Sequence, residues 1–134
     1  SPDTVQLSPS QSAVLAGMTD VAADMGFDIS PLGDCTWAVN GVPADLAGTS
    51  PAELITAMAD DVAATGAHDA DGLRSAAALG LAKAAAIRAG RILSADEMEA
   101  LAADLMRLHT PAYTPDGLRV IAVIDNDAID RLFQ

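Results

Sequence analysis

The sequence predicts an α+β fold, in which a small three-stranded sheet with two helices is followed by helices and one further strand. Apolar residues recur at helical spacing in several segments, which indicates amphipathic helices. Shorter segments alternate between apolar and polar residues, as half-buried strands do. Prolines, glycines and capping residues lie between these segments and mark the ends of the elements.

Residues 1–66 form the first predicted unit, with the order β-α-β-β-α. Each helix begins with a serine followed by a proline, which caps the first turn and presets its φ angle. Each helix ends near a glycine, which accepts the left-handed backbone of a helix terminus. The predicted elements are a strand at Thr4–Leu7, a helix from Ser8 to Gly26, strands at Phe27–Ser30 and Thr36–Asn40 around a turn at 31–34, and a helix from Ser50 to Gly66.

Residues 67–134 form the second predicted unit, with the order α-α-β-α. Leu73–Ala89 is a helix rich in alanine, and Gly80 lies on a side where small residues let a neighbouring element approach closely. Ser94 and Glu97 make a capping box for the next helix. The remaining predicted elements are a loop at 110–117, a strand at Leu118–Asp125 and a short final helix containing Ile129, Leu132 and Phe133.

The predicted strand at Leu118–Asp125 needs partners for its backbone. Val120–Ile124 is apolar at every position, and strands of this kind are buried on both faces inside sheets. A strand alone leaves its backbone donors and acceptors unpaired. It therefore pairs with strands outside this sequence or on a second chain, which is the solution we favour, or it joins the sheet of residues 1–66.

The composition excludes several classes of protein. Hydrophobic residues make up 51%, which argues against disorder, and the single Cys35 excludes a disulfide scaffold. The formal net charge of -12 disfavours direct binding to nucleic acid and to anionic membranes. The sequence has no apolar run long enough to cross a bilayer and no signal-peptide pattern, so we expect a cytoplasmic protein.

Several polar residues could be interpreted as functional, but each has a simpler structural interpretation. Asp60 and Asp61 could form a metal-binding pair, but a solvated helix face is the better interpretation. Cys35 has no nearby histidine, so we interpret it as a buried structural residue rather than a nucleophile. We expect His68 to be exposed in a polar connection, and His109 to end a helix, where a cation is favourable.

A series of segments in the second unit carries a family resemblance. The segments are AKAAAIRAG (Ala82–Gly90), LSADEMEAL (Leu93–Leu101), TPDGLR (Thr114–Arg119), VIAVID (Val120–Asp125) and IDRLF (Ile129–Phe133). The first unit adds PDTVQLSPSQ, a Gly-Phe-Asp-Ile step and AVNGVPADL. In order and spacing, this series resembles the C-terminal domain of MutL, a bacterial DNA mismatch-repair protein.

The resemblance implies a domain organisation. In the MutL family a regulatory lobe is inserted within a dimerisation lobe. Residues 1–66 would then be the regulatory lobe, and residues 67–134 the C-terminal part of the dimerisation lobe. Earlier strands and a helix of that lobe would precede this sequence, which would account for the unpaired strand. The second unit would mediate a homodimer, with the candidate dimerisation strand containing Val120, Ile121, Val123 and Ile124.

Many MutL proteins also carry a metal-dependent endonuclease site. Its ligands come from a D-Q-H-A-x-x-E-R helix, which is absent from this sequence, and from an A-C-H/R segment and a C-P-H loop. The corresponding positions here are Lys83 and Ala84 in the segment, and Thr114 and Asp116 in the loop. Zinc-type sites need thiolate and imidazole ligands, so we expect neither a metal site nor DNA nicking. An endonuclease with degenerate ligands is the alternative.

The resemblance also implies partners. Family members often bind the sliding clamp through a Q-x-L-L/I-x-P segment, and Pro2 would be its last residue, so clamp binding by this chain should be weak or absent. ATP would bind only a separate N-terminal region, and we expect no cofactor in this chain. The expected function is non-catalytic: dimerisation and docking of mismatch-repair proteins. An unrelated α+β regulatory module remains a further alternative.

Overall fold

The computed structural model describes residues 2–109, 112–113 and 119–120, with side chains described for residues 2–106. The predicted α+β class is confirmed. In chain order, the described elements are β1 (Asp3–Gln6), α1 (Pro9–Ala16), α2 (Thr19–Asp24), β2 (Asp28–Gly33), β3 (Thr36–Gly41), a 3-10 turn (Ala44–Leu46), α3 (Pro51–Thr65), α4 (Ala70–Arg88), α5 (Ala95–His109), β4 (Ala112–Tyr113) and β5 (Arg119–Val120).

The first three strands form an antiparallel sheet in the order β1-β3-β2, so β3 is the central strand. Val5 of β1 lies opposite Trp37 of β3 in the register. Trp37, Ala38 and Val39 are all buried, as expected of a strand that has neighbours on both sides. The Trp37 indole Nε1 donates a hydrogen bond to Ser12 Oγ at 3.0 Å, which links the sheet to α1.

The hairpin between β2 and β3 turns later than predicted. β2 continues through Pro31 to Gly33, and the turn residues are Asp34 and Cys35, whose φ angles are 54° and 62°. Positive φ at both turn residues matches the twist of the flanking strands, which favours this connection over a turn at 31–34. Pro31 is tolerated because β2 is an edge strand. Cys35 is only half-buried, so its interpretation as a buried residue is wrong.

The single helix predicted from Ser8 to Gly26 is divided into α1 and α2. Its start is confirmed, since Ser8 forms a capping box with Gln11. At Gly17 the backbone N–H bonds to carbonyls three and four residues back, and at Met18 only to the carbonyl three residues back. Glycine in a helix interior costs about 1 kcal/mol relative to alanine, so the chain tightens and breaks there. Gly26 follows α2 with φ 105°, in agreement with its predicted role as a stop.

The later helices begin at side-chain caps. In each one, an oxygen accepts the N–H group three residues along the chain. The three bonds join Ser50 Oγ to Glu53 N at 3.5 Å, Asp69 Oδ1 to Gly72 N at 2.6 Å and Ser94 Oγ to Glu97 N at 3.2 Å. The predicted capping box of α5 is confirmed, because Ser94 N also donates to Glu97 Oε1 at 3.2 Å. The Asp69 cap starts α4 at Ala70, three residues before the predicted start.

The hydrophobic core draws on both predicted units. One continuous cluster of buried residues extends from Val5 in β1 to Leu105 in α5. α3 contributes Leu54, Ile55 and Met58, each fully buried. The division into two lobes after residue 66 stays a prediction. Within the described part of the chain, no helix is both long enough and apolar enough to cross a bilayer.

β4 and β5 form a second, two-stranded antiparallel pairing. In its register, Ala112 lies opposite Val120 and Tyr113 opposite Arg119. The prediction of a loop at 110–117 is therefore wrong at 112–113, and the prediction of a single strand in the second unit is wrong too. Backbone groups of a strand require a partner, and here the preceding segment supplies one for its first residues. Residues 121–125 and the predicted final helix lie outside the described residues.

Candidate functional site

α3 and α4 pack as an antiparallel pair and are in close contact at Gly80. Only residues 66–69 connect the two helices, and Arg88 Nε near the end of α4 donates to Gly48 O, before the start of α3, at 3.0 Å. A Cβ added at Gly80 would meet the carbonyl oxygen of Ala57 and lie 2.8 Å from its carbonyl carbon. The close approach predicted from the small residues of α4 is confirmed.

Beside this contact lies an open groove, the α3–α4 groove, of about 510 Å³. α3 lines it with Glu53, Ala57 and Asp60 among others. α4 lines it with Lys83, Ala84 and Ile87. Ile87, at the edge of this groove, is 79% exposed.

Lys83 is held in an ion pair with Asp61 of α3. The Lys83 Nζ atom lies 3.2 Å from Oδ1, to which it donates a hydrogen bond, and 3.1 Å from Oδ2. The Asp61 side chain is only 16% exposed, whereas that of Lys83 is 47% exposed. A carboxylate removed from water needs a charge partner, and Lys83 provides it.

Asp60 and Asp61 are adjacent in sequence but engage different helices. Asp60 is exposed, and its Oδ1 accepts a hydrogen bond from Gln11 Nε2 of α1 at 3.0 Å. Asp61 turns toward Lys83 of α4. Successive helix residues point about 100° apart, so the two carboxylates do not form a ligand pair. The interpretation as a solvated helix face holds for Asp60 and is wrong for Asp61.

The two predicted ligand positions on α4 do not fit the metal site of the endonuclease family. Lys83 presents an ammonium group, which is already paired, and Ala84 presents a methyl group that is 8% exposed. Among the residues whose side chains are described, no three His, Cys, Asp or Glu groups lie close enough to hold a metal ion. Thr114 and Asp116, the other two positions, lie outside the described residues.

The remaining predicted residues are distributed along the chain. Pro2 is exposed and directly precedes β1. Val120 is the last residue of β5, whereas Ile121, Val123 and Ile124 lie outside the described residues. His68 lies in the connection between α3 and α4 and is exposed, as predicted. The structure therefore brings Lys83 and Ala84 together at the α3–α4 groove. The roles of Pro2 in a clamp-binding segment and of residues 120–124 in dimerisation stay predictions.

The sequence interpretation missed two features of the groove. One is Asp61, whose pairing could have been suspected because it stands between the apolar residues Met58 and Val62. Both of these are buried, so Asp61 lies at the margin of the buried face of α3. The other is the exposure of Ile87, for which the only sequence signal is that Lys83 stands four residues before it and Arg88 directly after it.

Comparison with known proteins finds relatives that align with nearly the whole chain. The DNA mismatch repair proteins MutL of Phocaeicola vulgatus and Bacteroides fragilis are 39% and 38% identical over 133 residues, 99% of this chain. MutL of Methanothrix thermoacetophila is 30% identical over 98% of the chain. The chain spans about a fifth of the length of the first two relatives. No solved structure matches it. The family described as MutL C terminal dimerisation domain matches residues 1–93, and the chain belongs to this family.

Proposed function

We propose that this chain is a non-catalytic dimerisation domain of a MutL-like DNA mismatch-repair protein. The observation that carries the proposal is the match of a dimerisation-domain family to residues 1–93. Relatives named as DNA mismatch repair proteins align with 99% of the chain. The chain spans about 21% of the length of these relatives. In this proposal, ATP binds to another part of the longer protein.

The charge of the chain supports a role in assembly rather than in contact with DNA. It has 19 acidic and 7 basic residues, for a formal net charge of -12. Such a surface repels the phosphate backbone. We therefore propose other mismatch-repair proteins, with the sliding clamp as a candidate, as the partners of the domain, and the cytoplasm as its location.

Sedimentation velocity of the chain over a series of concentrations tests dimerisation. We expect the population to shift from monomer to dimer as the concentration rises. Obligate homodimers bury about 2,000 Å² or more of largely apolar surface, and burial on this scale would stabilise the dimer. The substitution Val123→Asp should weaken association if the apolar run at 120–124 lies at the interface. Leu32→Asp is the matched control, because Leu32 is already 59% exposed on the edge strand β2.

Two results would contradict the proposal in different ways. A monomer at the highest soluble concentration would remove self-association from this chain. A dimer that Val123→Asp and Leu32→Asp weaken equally would keep the dimer but place its interface elsewhere. Both variants introduce one negative charge. A difference in their dimerisation therefore reports the position of the substitution and not the added charge.

The non-catalytic part of the proposal is supported by the side chains of Lys83 and Ala84, a paired ammonium and a methyl group, which are not metal-ligating groups. A nicking assay on supercoiled plasmid, with Mg²⁺, Mn²⁺ or Zn²⁺ added in turn, tests it. We expect no more nicked circles than in buffer alone. Nicking that depends on the metal, stops on chelation and stays with the protein through repeated purification would identify an endonuclease with degenerate ligands.

A further inference from the structure

Asn40 lies at an irregularity near the end of the central strand β3. In the pairing with β2, the register passes from Gly41 directly to Val39, so that Asn40 between them has no partner. In the pairing with β1, the partnered residues of β3 end at Val39. This is the pattern of a β-bulge, in which the extra residue is left out of the ladder. Asn40 is therefore held by neither neighbouring strand.

The side chain of Asn40 is accessible as well as unpaired. Asn40 is exposed, whereas Trp37, Ala38 and Val39 before it are all buried. Within the described part of the chain, no hydrogen bond holds its carboxamide. A side chain without packing or hydrogen-bond partners exchanges between its rotamers. The carboxamide of Asn40 is thus free to turn toward the backbone that follows it.

The residue that follows Asn40 is a glycine. Glycine has no Cβ, so another group can approach its backbone nitrogen closely. The fold itself does not require glycine at this position, because the φ angle of Gly41 lies outside the left-handed region. A Cβ added there would lie 3.6 Å from the Cβ of Asp28, an ordinary van der Waals distance. Gly41→Ala is therefore a variant that the structure can accommodate.

We propose that Asn40 is a site of spontaneous deamidation through Gly41. The Gly41 backbone nitrogen loses its proton and attacks the Asn40 Cγ atom, which closes a succinimide ring. The side-chain nitrogen leaves as ammonia and carries the proton with it. Water then adds to either carbonyl carbon of the ring and breaks its bond to nitrogen, which gives aspartate or isoaspartate. The sum of the steps consumes one water and releases one ammonia, without an oxidant, a metal or an enzyme.

Deamidation changes both the charge and the backbone at this end of the sheet. It adds one negative charge to a net charge of -12. Asp3 lies opposite Val39 and Asp28 lies opposite Gly41, so the new carboxylate follows and precedes positions that already face acidic residues. Like charges on neighbouring strands oppose pairing. Isoaspartate also adds one methylene group to the main chain of β3, so the modified chain is less stable.

This inference goes beyond the proposed dimerisation, since it concerns a reaction within one chain. Mass spectrometry of the folded chain, incubated in buffer over a series of days, tests it. Peptide mapping finds the position at which an amide has become an acid, and a protein isoaspartate methyltransferase with labelled S-adenosylmethionine detects isoaspartate. We expect both products to accumulate at position 40. Asn126 precedes Asp127, whose side chain hinders the attack, so position 126 should convert several times more slowly.

Variants of the chain test the route and its consequence. Gly41→Ala should slow the conversion of Asn40 several times, whereas Gly48→Ala, at another position with room for a Cβ, should leave the rate unchanged. Asn40→Asp reproduces the charge of the product, and Asn40→Gln keeps the amide. We expect Asn40→Asp to lower the unfolding midpoint below that of Asn40→Gln, and added salt to reduce the difference. Thermal unfolding also checks that all variants are folded.

The chain unfolded in guanidinium chloride gives the rate that the local sequence sets. Because the bulge leaves Asn40 unpaired, the folded chain should react within several times of this rate. Conversion of Asn40 in the unfolded chain alone would overturn the proposal, and so would equal rates in Gly41→Ala and Gly48→Ala. Equal conversion of Asn40 and Asn126 in the folded chain would also contradict it. Failure of dimerisation in the sedimentation experiment leaves these results unaffected, so the two proposals are tested separately.

Discussion

Gly80 of α4 lies against the backbone of Ala57 of α3, so that a side chain at position 80 would overlap the Ala57 carbonyl group. This contact sets how closely the two helices pack. We expect Gly80→Ala to lower the free energy of unfolding by about 2 kcal/mol, because overpacking costs more than the roughly 1 kcal/mol gained in helix propensity. Urea denaturation measures the change.

Gly48→Ala is the control for that substitution. A Cβ at Gly48 would meet nothing within 4 Å, so we expect a change within about 0.5 kcal/mol. If Gly80→Ala were as mild as Gly48→Ala, the close approach of α3 and α4 at Ala57 would be contradicted.

Lys83 and Asp61 should show energetic coupling. Lys83→Met leaves a mostly buried carboxylate without its cation, and we expect a loss of about 1 kcal/mol, kept small because the lysine itself is half exposed. In the double variant Lys83→Met, Asp61→Asn the charge is gone from both sides, so the loss should be smaller than the sum of the two single losses. A double-mutant cycle by urea denaturation measures this difference.

A metal titration separates the structural role of Lys83 from a role near a metal site. Zn²⁺ should leave the unfolding midpoint of the unmodified chain unchanged, since the ammonium of Lys83 occupies one of the predicted ligand positions. Strictly additive losses in the cycle, or stabilisation by Zn²⁺ that Lys83→Met abolishes, would contradict the ion pair as described.

Much of the fold could be predicted because local signals and tertiary structure agree. Serine caps, the terminal glycines and the alanine-rich stretch of α4 indicated most helices. The break at Gly17 could not be predicted, because the apolar spacing of Val14, Met18 and Val21 continues through it. The late turn at Asp34 could not be predicted either. Pro31 predicts a turn, because proline inside a strand is tolerated only at the edge of a sheet, and the sequence does not show that β2 is an edge strand.

The candidate site was predictable only in part. The resemblance pointed to Lys83 and Ala84, and both line the groove. The partner of Lys83 was not predictable, because Asp61 is distant in sequence and its pairing depends on how α3 and α4 are placed. The exposure of Ile87 likewise depends on which face of α4 the rest of the fold covers, and the alanines of that helix leave several faces open.

The buried indole of Trp37 should depend on Ser12. Ser12→Ala leaves the Trp37 Nε1–H group without its hydrogen-bond acceptor, and we expect a loss of about 1 to 2 kcal/mol for an unsatisfied buried donor. Trp37 is the only tryptophan, so its fluorescence reports both unfolding and any change in its surroundings. Ser10→Ala, at an exposed position of α1, removes only the exposed 3.3 Å hydrogen bond between the Ser8 and Ser10 hydroxyls and should have little effect. Equal stability of the two variants would show that the Ser12 bond contributes nothing.

Gln11 connects the start of α1 to α3. Its Oε1 accepts from Ser8 N at 3.0 Å, and its Nε2 donates to Asp60 Oδ1 at 3.0 Å. Gln11→Glu keeps the acceptor for Ser8 but replaces the donor with a second carboxylate beside Asp60. The lost bond and the repulsion outweigh the favourable charge at the helix start, so we expect a loss of about 1 kcal/mol at low salt.

Salt and a second substitution distinguish repulsion from loss of packing in Gln11→Glu. Added salt screens exposed charges, so it should restore part of the stability of Gln11→Glu but not of Gln11→Ala. Asp60→Asn in the Gln11→Glu background removes the second charge and provides an amide donor, so it should restore most of the loss. If neither change raised the free energy of unfolding, the carboxylates would not be interacting, and the contact between α1 and α3 at Asp60 would be contradicted.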